Sequence, residues 1–431
     1  NSKNLDYVTL VGLGKQDKFN LKKLMITLGN VTRALRGAGI ESVSIHFNSF
    51  KNKDFNFPKY LEKSAIAVDL GLYQYLEFKT KDLDKIKKME RVSFVVDSNL
   101  LKNAKKIIDD ASICSEAVKK TRSLVNTPPN VAVPEYIANY SKKLVNKSKI
   151  KCTIFDEKQL TKMGMNCYLA VGKASVNKPR MVLFEYKNGG NKKPIVIVGK
   201  GITFDTGGIN VKPAAYMATM KDDKAGACNV LHILEACAKL KLKINVIGIG
   251  GFAENAISGN AYKPDDVVKS YSGITVEVLN SDAEGRMVLS DVLAYSLKYK
   301  PKCVIDMATL TGAAIIATGF LASPIMGTDQ KLIDDLIKAG EESYDRIWQL
   351  PLWDEHDEIV KSDIADVKHI SQEMNAGTIV GATFLKQFVK DVPWAHIDIA
   401  ATVRVTQDKG YKVKGATGFG TLLILEYLKN E

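Results

Sequence analysis

The pattern of apolar and polar residues in the first part of the chain predicts a small α/β domain. Tyr7–Gly14, Glu41–Phe47 and Arg91–Asp97 alternate or run apolar in the way that strands do. Between the first two, Phe19–Arg36 repeats its apolar residues at helical spacing, and Gly37 follows as a typical helix stop. This part of the chain brings no set of catalytic residues together.

The second part of the chain alternates apolar runs with helical segments. The runs are typical of strands buried in a sheet, and they are Pro194–Val198, Asn245–Gly250, Val276–Leu279 and Cys303–Met307. Strands that alternate with helices favour a doubly wound sheet. We therefore predict an α/β protein with two α/β domains, of which the C-terminal one contains a doubly wound mixed sheet.

A long helical stretch separates the two patterns. Leu100–Val125 carries helical periodicity, and Pro128 and Pro129 end it because proline lacks a backbone donor and restricts the residue before it. We predict an N-terminal domain of residues 1–105, a connecting helix of residues 106–125 and a C-terminal catalytic domain of residues 126–431.

Composition limits the class of protein without indicating a function. The chain has 431 residues and 45% hydrophobic side chains, which suffices for two globular domains. Its six cysteines show no CxxC spacing and no secretory signal pattern opens the sequence, so we expect reduced cysteines and a cytoplasmic location. Met307–Thr328 carries no charge, but its glycines, proline and threonines favour a strand–loop–helix element over a membrane span.

The net charge of +13 raises the question of nucleic-acid binding. Only eight of the 61 basic residues are arginine, and the lysines are scattered along the chain without a patch interleaved with aromatic residues. This distribution is typical of solvated faces. We therefore expect neither a nucleic acid nor a membrane as partner.

Two carboxylates and a guanidinium stand side by side in the segment Asn280–Arg286. Asp282, Glu284 and Arg286 are each separated by one residue, so in an extended segment all three would project to the same side. An isolated pattern of this kind is most often a solvated acidic turn that pairs with its own arginine. A second carboxylate-bearing stretch upstream favours a functional site instead.

The upstream stretch begins with the predicted strand Pro194–Val198. Glycines follow this strand and predict a sharp turn, which would place Lys200, Asp205 and Lys212 on loops at the carboxyl edge of the sheet. A phosphate-binding loop is excluded, because Gly201 occupies the position of the hydroxyl residue and a proline that of the first glycine.

Four acidic residues of the two stretches balance two divalent cations in charge, and they are Asp205, Asp223, Asp282 and Glu284. Oxygen donors suit Mg²⁺, Mn²⁺ and Zn²⁺. Two such ions about 3.5–4 Å apart can share a water molecule and lower its pKa towards 7. None of the five histidines falls in these stretches and no HExxH motif occurs, which argues against a mononuclear zinc protease. The sequence thus predicts a dinuclear metal site.

Both stretches resemble the signature regions of the leucine aminopeptidases, also called cytosol aminopeptidases. The resemblance extends over most of the chain from Thr121 onward, through Arg122–Asn130, Val198–Pro213, Met220–Ala227, Asn280–Arg286, Asp306–Ala313, Pro351–Asp354 and Trp394–Ala400. It implies a metal-dependent leucyl aminopeptidase that hydrolyses the N-terminal peptide bond of short peptides. The preferred first residue would be apolar, such as leucine.

The resemblance implies a role for each matching acidic residue. A tightly bound ion would be held by Lys200, Asp205, Asp223 and Glu284, and an exchangeable ion by Asp205, Asp282 and Glu284. Lys200 could serve as a ligand only as a neutral amine, and a neighbouring dication would lower its pKa. The expected ions are Zn²⁺ or Mn²⁺, with Mg²⁺ or Co²⁺ also suited to the exchangeable site.

The resemblance also implies catalytic and substrate-binding residues. Lys212 would stay charged and polarise the scissile carbonyl. Arg286 would hold a bicarbonate ion that acts as the general base. The side chain of the first substrate residue would lie among Met220, Thr309, Gly312, Ala400 and Val403, although such residues near strand ends are often plain core. Homohexamers are the family's assembly, so the chain itself is an expected partner.

The chain departs from the family pattern beside the predicted ligands. Ser281 replaces a threonine but keeps the hydroxyl. Lys224 stands where methionine is common, directly after Asp223, and we expect it to add positive charge near the ions. No predicted ligand or catalytic residue is missing.

Two other functions remain open at this level. One is a non-catalytic or DNA-binding family member that uses the fold as a scaffold. Intact Lys212, Arg286 and carboxylates argue against it. The other is a two-metal phosphatase, which the absence of a histidine or asparagine set for phosphate disfavours.

Overall fold

A computed structural model describes residues 7–50, 55–146, 148–371, 373 and 375–431. The chain divides into two compact units, the first formed by Asn1–Glu116 and Val405–Lys414 and the second by Ala117–Arg404 and Gly415–Glu431. The division falls within helix α3, Leu101–Asn126. The domain boundaries at residues 105 and 125 stay a prediction.

The first unit combines two helices with a short parallel sheet. Helix α1, Leu21–Gly37, and helix α2, Phe57–Gly71, pack against each other, and strand β1, Ser42–His46, pairs with strand β2, Arg91–Val95. Asn20 caps α1 by accepting from the backbone N–H of Lys23 at 3.0 Å, a common way to begin a helix. These elements confirm the helix and two of the strands that periodicity predicts.

The third predicted strand of this unit is wrong. Residues 7–15 form neither strand nor helix, and Tyr7, Val8 and Leu10 are 78%, 77% and 93% exposed. Alternation alone does not make a strand, because an extended segment also needs a neighbour to pair its backbone groups.

The second unit is built on an eight-stranded mixed sheet with the order β11-β10-β13-β9-β5-β6-β4-β3. Its strands are β3 Ile150–Phe155, β4 Arg180–Lys187, β5 Ile195–Asp205, β6 Asn245–Asn255, β9 Cys303–Ala308, β10 Ser323–Gly327, β11 Ile347–Gln349 and β13 Trp394–Asp398. The short strands outside this sheet are β7 Val267–Lys269, β8 Thr275–Glu277, β12 Val367–Lys368, β14 Arg404–Val405 and β15 Gly415–Ala416. Strands β6, β5, β9 and β13 run parallel in the centre.

Helices cover both faces of this sheet. They are α4 Pro134–Leu144, α5 Glu157–Met163, α6 Asn166–Gly172, α7 Ala214–Met217, α8 Ala225–Leu240, α9 Glu284–Ser296, α10 Ala313–Thr318, α11 Gln330–Ser343, α12 Gly377–Lys386 and α13 Thr421–Lys429. A Cβ on Gly250 would meet Ala227 of α8, whereas one on Gly251 would meet Val288 of α9. Successive strand residues face opposite sides, so α8 and α9 lie on opposite faces. The predicted doubly wound α/β fold is confirmed, but the predicted strand Val276–Leu279 is wrong as part of this sheet, because β8 belongs to a separate sheet with β7 and β12.

The uncharged stretch Met307–Thr328 forms the end of β9, a loop, α10 and all of β10. This confirms the strand–loop–helix prediction. Among the described residues, none of the helices combines the length and the apolar character that a membrane crossing requires.

A buried imidazole ties three helices of the second unit together. His232 of α8 contacts the Thr121 hydroxyl of α3 at 3.0 Å and the Tyr140 hydroxyl of α4 at 2.8 Å. Burial lowers the pKa of His232 from 6.5 to about 4. The folded protein therefore keeps this ring neutral where an unfolded chain would bind a proton.

We predict that His232 makes the second unit sensitive to acid. Below pH 6.5 the His232 ring binds a proton in the unfolded chain but not in the folded one, so stability falls as the pH drops towards 4. One such group contributes at most about 1.4 kcal/mol per pH unit. Denaturant titrations should show a steeper loss for the wild type than for His232→Gln, which has no titrating ring. Parallel curves would contradict this.

Candidate metal centre

The candidate site lies at the carboxyl ends of two parallel strands. Strand β5 ends at Asp205, and β9 is followed directly by Thr309. The chain passes from β5 to β6 on one side and then to β9 on the other side of β5. The order of strands therefore reverses beside β5, and such a switch point is where ligands bind in open α/β sheets.

Lys200 and Asp205 lie within strand β5, so the predicted turn after Val198 is wrong. The strand continues through Gly199 and Gly201, which pair with β6. A Cβ on Gly199 would come within 2.4 Å of the Ala227 backbone at the start of α8. The glycines thus serve close packing of a helix on the strand and do not form a turn.

Three buried carboxylates converge at this end of β5. Oxygens of Asp205, Asp223 and Glu284 all lie within 4.8 Å of one another. Asp223 comes from a short 3-10 helix, Met220–Lys224, and its Oδ2 atom is buried without a hydrogen-bond partner among the described residues. A divalent cation is the partner that such a set of oxygens fits.

Lys200 lies against two of these carboxylates. Its ammonium is 2.8 Å from Asp223 Oδ1 and 2.7 Å from Glu284 Oε1, and it donates to the Thr309 carbonyl at 2.7 Å. Burial lowers the pKa of Lys200, but Asp223 and Glu284 raise it further, and the net direction is upward. The ammonium therefore neutralises part of the negative charge of the cluster.

Lys212 joins the remaining two carboxylates. Its ammonium is 2.8 Å from Asp205 Oδ2 and also contacts Asp282 Oδ1. Burial lowers the pKa of Lys212, yet Asp205 and the other acidic neighbours raise it above its ordinary value. Asp282 is the most exposed of the four carboxylates, with 33% of its side chain accessible. The structure therefore brings all four predicted acidic ligands into one lysine-bridged group.

Burial disfavours the charged form of the carboxylates in this cluster. Burial raises the pKa of Asp223 to about 6, and burial together with Glu284 raises that of Asp205 well above its ordinary value. Burial raises the pKa of Glu284 too, but Lys200 and Lys212 outweigh it and hold the pKa below its ordinary range. Buried anions that repel each other in this way are stabilised by added cations.

The segment Asn280–Arg286 is not extended, which corrects the sequence prediction. Asp282 lies in a turn, whereas Glu284 is the first residue of helix α9 and Arg286 lies within it. The positive end of the helix dipole favours a carboxylate at this position. Arg286 is buried and donates through Nη1 to the His369 carbonyl at 2.6 Å.

Ser281 joins the two stretches. Its hydroxyl donates to the Gly207 carbonyl at 2.7 Å and accepts from the Asn210 backbone at 2.9 Å. Its own backbone N–H donates to Asn210 Oδ1 at 2.9 Å. The hydroxyl that Ser281 shares with threonine is therefore what links the loop after β5 to the turn that carries Asp282.

Asn255 and Tyr262 also hold this turn, and neither was among the residues predicted from sequence. Asn255 Nδ2 donates to Asp205 Oδ1 at 2.8 Å and to the Ser281 carbonyl at 3.0 Å. The Tyr262 hydroxyl donates to the same carbonyl at 2.7 Å. Asn255 ends strand β6, beside Asp205 in the sheet, so strand pairing was the signal that could have found it.

Thr309 contacts a predicted metal ligand. Its hydroxyl donates to Asp223 Oδ1 at 2.6 Å. The next residue, Leu310, donates its backbone N–H to Asp398 Oδ1 at 3.0 Å, and Ala400 donates to the same oxygen at 3.2 Å. Asp398 thereby places the loop that carries Thr309 next to the short 3-10 helix that carries Ala400.

The other three residues predicted for the substrate side chain lie on separate elements. Met220 begins the 3-10 helix that carries Asp223, Gly312 is exposed before α10, and Val403 is buried before β14. Their role in binding stays a prediction.

Lys224 does not direct its charge at the carboxylate cluster. Its side chain is fully buried, and its ammonium donates to the carbonyls of Val125, Thr127 and Lys221 at 3.1, 3.2 and 2.6 Å. Burial lowers its pKa to about 8. Lys224 thus ties the 3-10 helix of Asp223 to the end of α3.

Comparison with known families accounts for most of the chain. Residues 119–425 match the catalytic domain of the cytosol aminopeptidase family, and residues 1–82 match the N-terminal domain of that family. A probable cytosol aminopeptidase of Geobacter sp. is 41% identical over 98% of this chain and 85% of its own length. One from Pseudomonas syringae pv. tomato is 42% identical over 98% of this chain and 84% of its own length.

Solved structures show the same architecture. The bottromycin maturation enzyme BotP in complex with Mn superposes with a TM-score of 0.90 at 29% sequence identity. The superposition covers 97% of this chain and 90% of the BotP chain.

We predict that Asp205 trades stability of the metal-free protein for cation binding. Asp205→Asn should not lower the unfolding temperature in chelator, because the neutral amide avoids the cost that raises the pKa of this carboxyl. The same variant should lose most of the rise in unfolding temperature that Mn²⁺ gives the wild type. Thermal scans with and without Mn²⁺ measure both effects.

Asp335→Asn is the matched control, because Asp335 is a partly exposed carboxylate that pairs with Lys331 on α11. It should leave the Mn²⁺-dependent rise unchanged. An Asp205→Asn protein that keeps the full rise would contradict a role for Asp205 in cation binding.

Proposed function

Because this chain belongs to the cytosol aminopeptidase family, whose members are metal-dependent exopeptidases, we propose that it releases the N-terminal residue of short peptides. The preferred first residue is apolar, such as leucine. The observation that carries this proposal is the convergence of Asp205, Asp223 and Glu284, with oxygens within 4.8 Å of one another. Lys200, which the family resemblance implies as a further ligand, and Lys212, which it implies as a catalytic residue, both pair with this group.

The four carboxylates and Lys200 hold two divalent cations in this proposal. The tight site takes Lys200, Asp205, Asp223 and Glu284, and the exchangeable site takes Asp205, Asp282 and Glu284. Bound there, the ions would lower the pKa of a water molecule towards ~7 and so would supply hydroxide as the nucleophile. Zn²⁺ and Mn²⁺ suit both sites, and Mg²⁺ or Co²⁺ the exchangeable one. BotP, which shares this fold, was solved in complex with Mn, and this supports Mn²⁺ as one of the expected ions.

Lys212 polarises the scissile carbonyl of the substrate. Its acidic neighbours raise its pKa, so the ammonium is charged at neutral pH. Lys212 pairs with Asp205 and Asp282, the two carboxylates that would hold the exchangeable ion, so its ammonium lies where it can donate to the carbonyl oxygen of a bound substrate. A fixed positive charge at that oxygen stabilises the negative charge that develops there during attack.

Arg286 holds a bicarbonate ion, which acts as the general base. The guanidinium is buried, and its Nε atom has no hydrogen-bond partner among the described residues. Burial lowers the pKa of Arg286 to about 10, which still leaves it charged at neutral pH. A buried guanidinium with a spare donor suits a small planar anion.

The first side chain of the substrate contacts Met220, Thr309, Gly312, Ala400 and Val403. Hydrogen bonds to Asp398 bring the loop of Thr309 and the 3-10 helix of Ala400 together, and Thr309 also donates to Asp223. An apolar side chain would therefore lie beside the carboxylate cluster, with its amide next to the ions. Cytoplasmic location stays a prediction, as does the homohexamer, which sedimentation velocity can test.

We predict metal-dependent hydrolysis of a leucyl chromogenic amide. Protein stripped with chelator should be inactive, and Mn²⁺ or Zn²⁺ should restore release of the chromophore, because the carboxylates supply no nucleophile without an ion. An amide with a blocked α-amine is the control and should not be cleaved. Equal rates before and after stripping would refute the proposal.

We predict that Lys212 and Arg286 fail in different ways. Lys212→Ala should keep two Mn²⁺ per chain and lose turnover by roughly 10²–10³-fold at every bicarbonate concentration, as expected when a charge that stabilises the transition state is removed. Arg286→Ala should also keep both ions, but its residual rate should no longer respond to bicarbonate. Metal analysis and rates across a bicarbonate series separate the two. A wild-type rate indifferent to bicarbonate would contradict the role of Arg286.

A further inference from the structure

His369 lies outside both signature stretches, directly after strand β12, yet its ring reaches the turn of Asp282. The ring is fully buried and meets the ring of Phe384 edge to face, with centroids 6.4 Å apart. Its Nδ1 atom accepts from the Leu279 backbone N–H at 3.3 Å, and its Nε2 atom contacts the Asn280 carbonyl at 2.9 Å. A backbone N–H can only donate and a carbonyl can only accept, so these contacts fix the neutral tautomer with its hydrogen on Nε2.

The contacts of His369 continue to Asp282 through Asn280. The Oδ1 atom of Asn280 accepts from the Asp282 backbone N–H at 2.8 Å. The side chain of Asp282 is 33% exposed, against 2% for Asp205 and Glu284. Packing therefore holds Asp282 less than the other carboxylates, and its position depends more on the turn.

The same residue also holds Arg286. The His369 carbonyl accepts from Arg286 Nη1 at 2.6 Å, the hydrogen bond that this guanidinium makes among the described residues. The ring of His369 thus fixes the turn of Asp282, and its carbonyl fixes the direction of Arg286. His369 therefore contributes to the positions of both Asp282 and Arg286.

We propose that His369 is a positioning residue that holds Asp282 and Arg286 in register, so that it sets the affinity for the exchangeable ion and for bicarbonate. This inference rests on the proposed function. His369 is not a ligand, because both of its ring nitrogens are engaged by backbone groups. Residues that orient metal ligands in this way typically change metal affinity about 10- to 100-fold when they are replaced.

The test is His369→Phe in the full chain. Phenylalanine keeps a ring against Phe384 but can neither accept from Leu279 nor donate to Asn280. Calorimetric titration of chelator-stripped protein with Mn²⁺ should show one equivalent weakened by about 10- to 100-fold and the other unchanged. Phenylalanine keeps the backbone carbonyl that binds Arg286, but without the two ring contacts this backbone is held less firmly, so the bicarbonate concentration that gives half of the maximal rate should rise. His369→Gln, whose amide has both an acceptor and a donor, should restore most of the affinity.

His232→Phe is the matched control. It also removes a buried imidazole with both nitrogens bonded, to Thr121 and Tyr140 of other helices. It should lower the unfolding temperature but leave both Mn²⁺ affinities and the bicarbonate response unchanged. Asn280→Ala cuts the next link of the chain to Asp282 and should reproduce the selective loss, even where His369→Phe does not fold.

Three results would overturn the inference. Wild-type affinity for both Mn²⁺ equivalents in His369→Phe or Asn280→Ala would show that the turn does not depend on this contact. An equal loss of Mn²⁺ affinity in His232→Phe would show that the loss in His369→Phe reflects general instability. A wild type that binds no Mn²⁺ would refute the proposed function as well, and only that result bears on both.

Discussion

The burial of like charges is the constraint on which the rest of the second unit depends. Asp205, Asp223 and Glu284 place oxygens within 4.8 Å of one another where water is largely excluded. Anions in such surroundings repel strongly and are poorly solvated. Lys200 and Lys212 pair with these carboxylates and offset part of the unfavourable energy of burying them. The two ammonium groups leave the four carboxylates short of positive charge, and this deficit is what makes the site a receptor for cations.

The sheet and its helices supply the rigidity that keeps these charges together. A Cβ on Gly199 would collide with the start of α8, and one on Gly285 would come within 2.3 Å of Lys200 Cε. The absence of these side chains lets α8 and α9 approach β5 closely. Asp223 precedes α8 and Glu284 begins α9, so close packing of the two helices brings their carboxylates onto the end of the strand.

The long regular elements were predictable from sequence, but the strand pairing and close packing around them were not. The sequence pattern placed α1 and α3 to within two residues because each has an apolar face at helical spacing, and it placed β9 because a buried strand reads as an apolar run. The same reasoning was wrong for Tyr7–Gly14, whose alternation finds no pairing partner among the described residues. It was wrong again at Gly199, since a glycine that serves close packing looks the same in sequence as one that serves a turn.

Sequence alone determined the chemistry of the site, because carboxylates, lysines and an arginine in two family-like stretches carry their charge and donor types wherever they lie. It therefore identified Asp205, Asp223, Asp282 and Glu284 as one group. Only the tertiary structure decided which groups touch: that Thr309 holds Asp223, and that His369, 89 residues after Asn280, holds the turn of Asp282. Such contacts join residues far apart in the chain through strand pairing and helix packing, and no local pattern in the sequence encodes them.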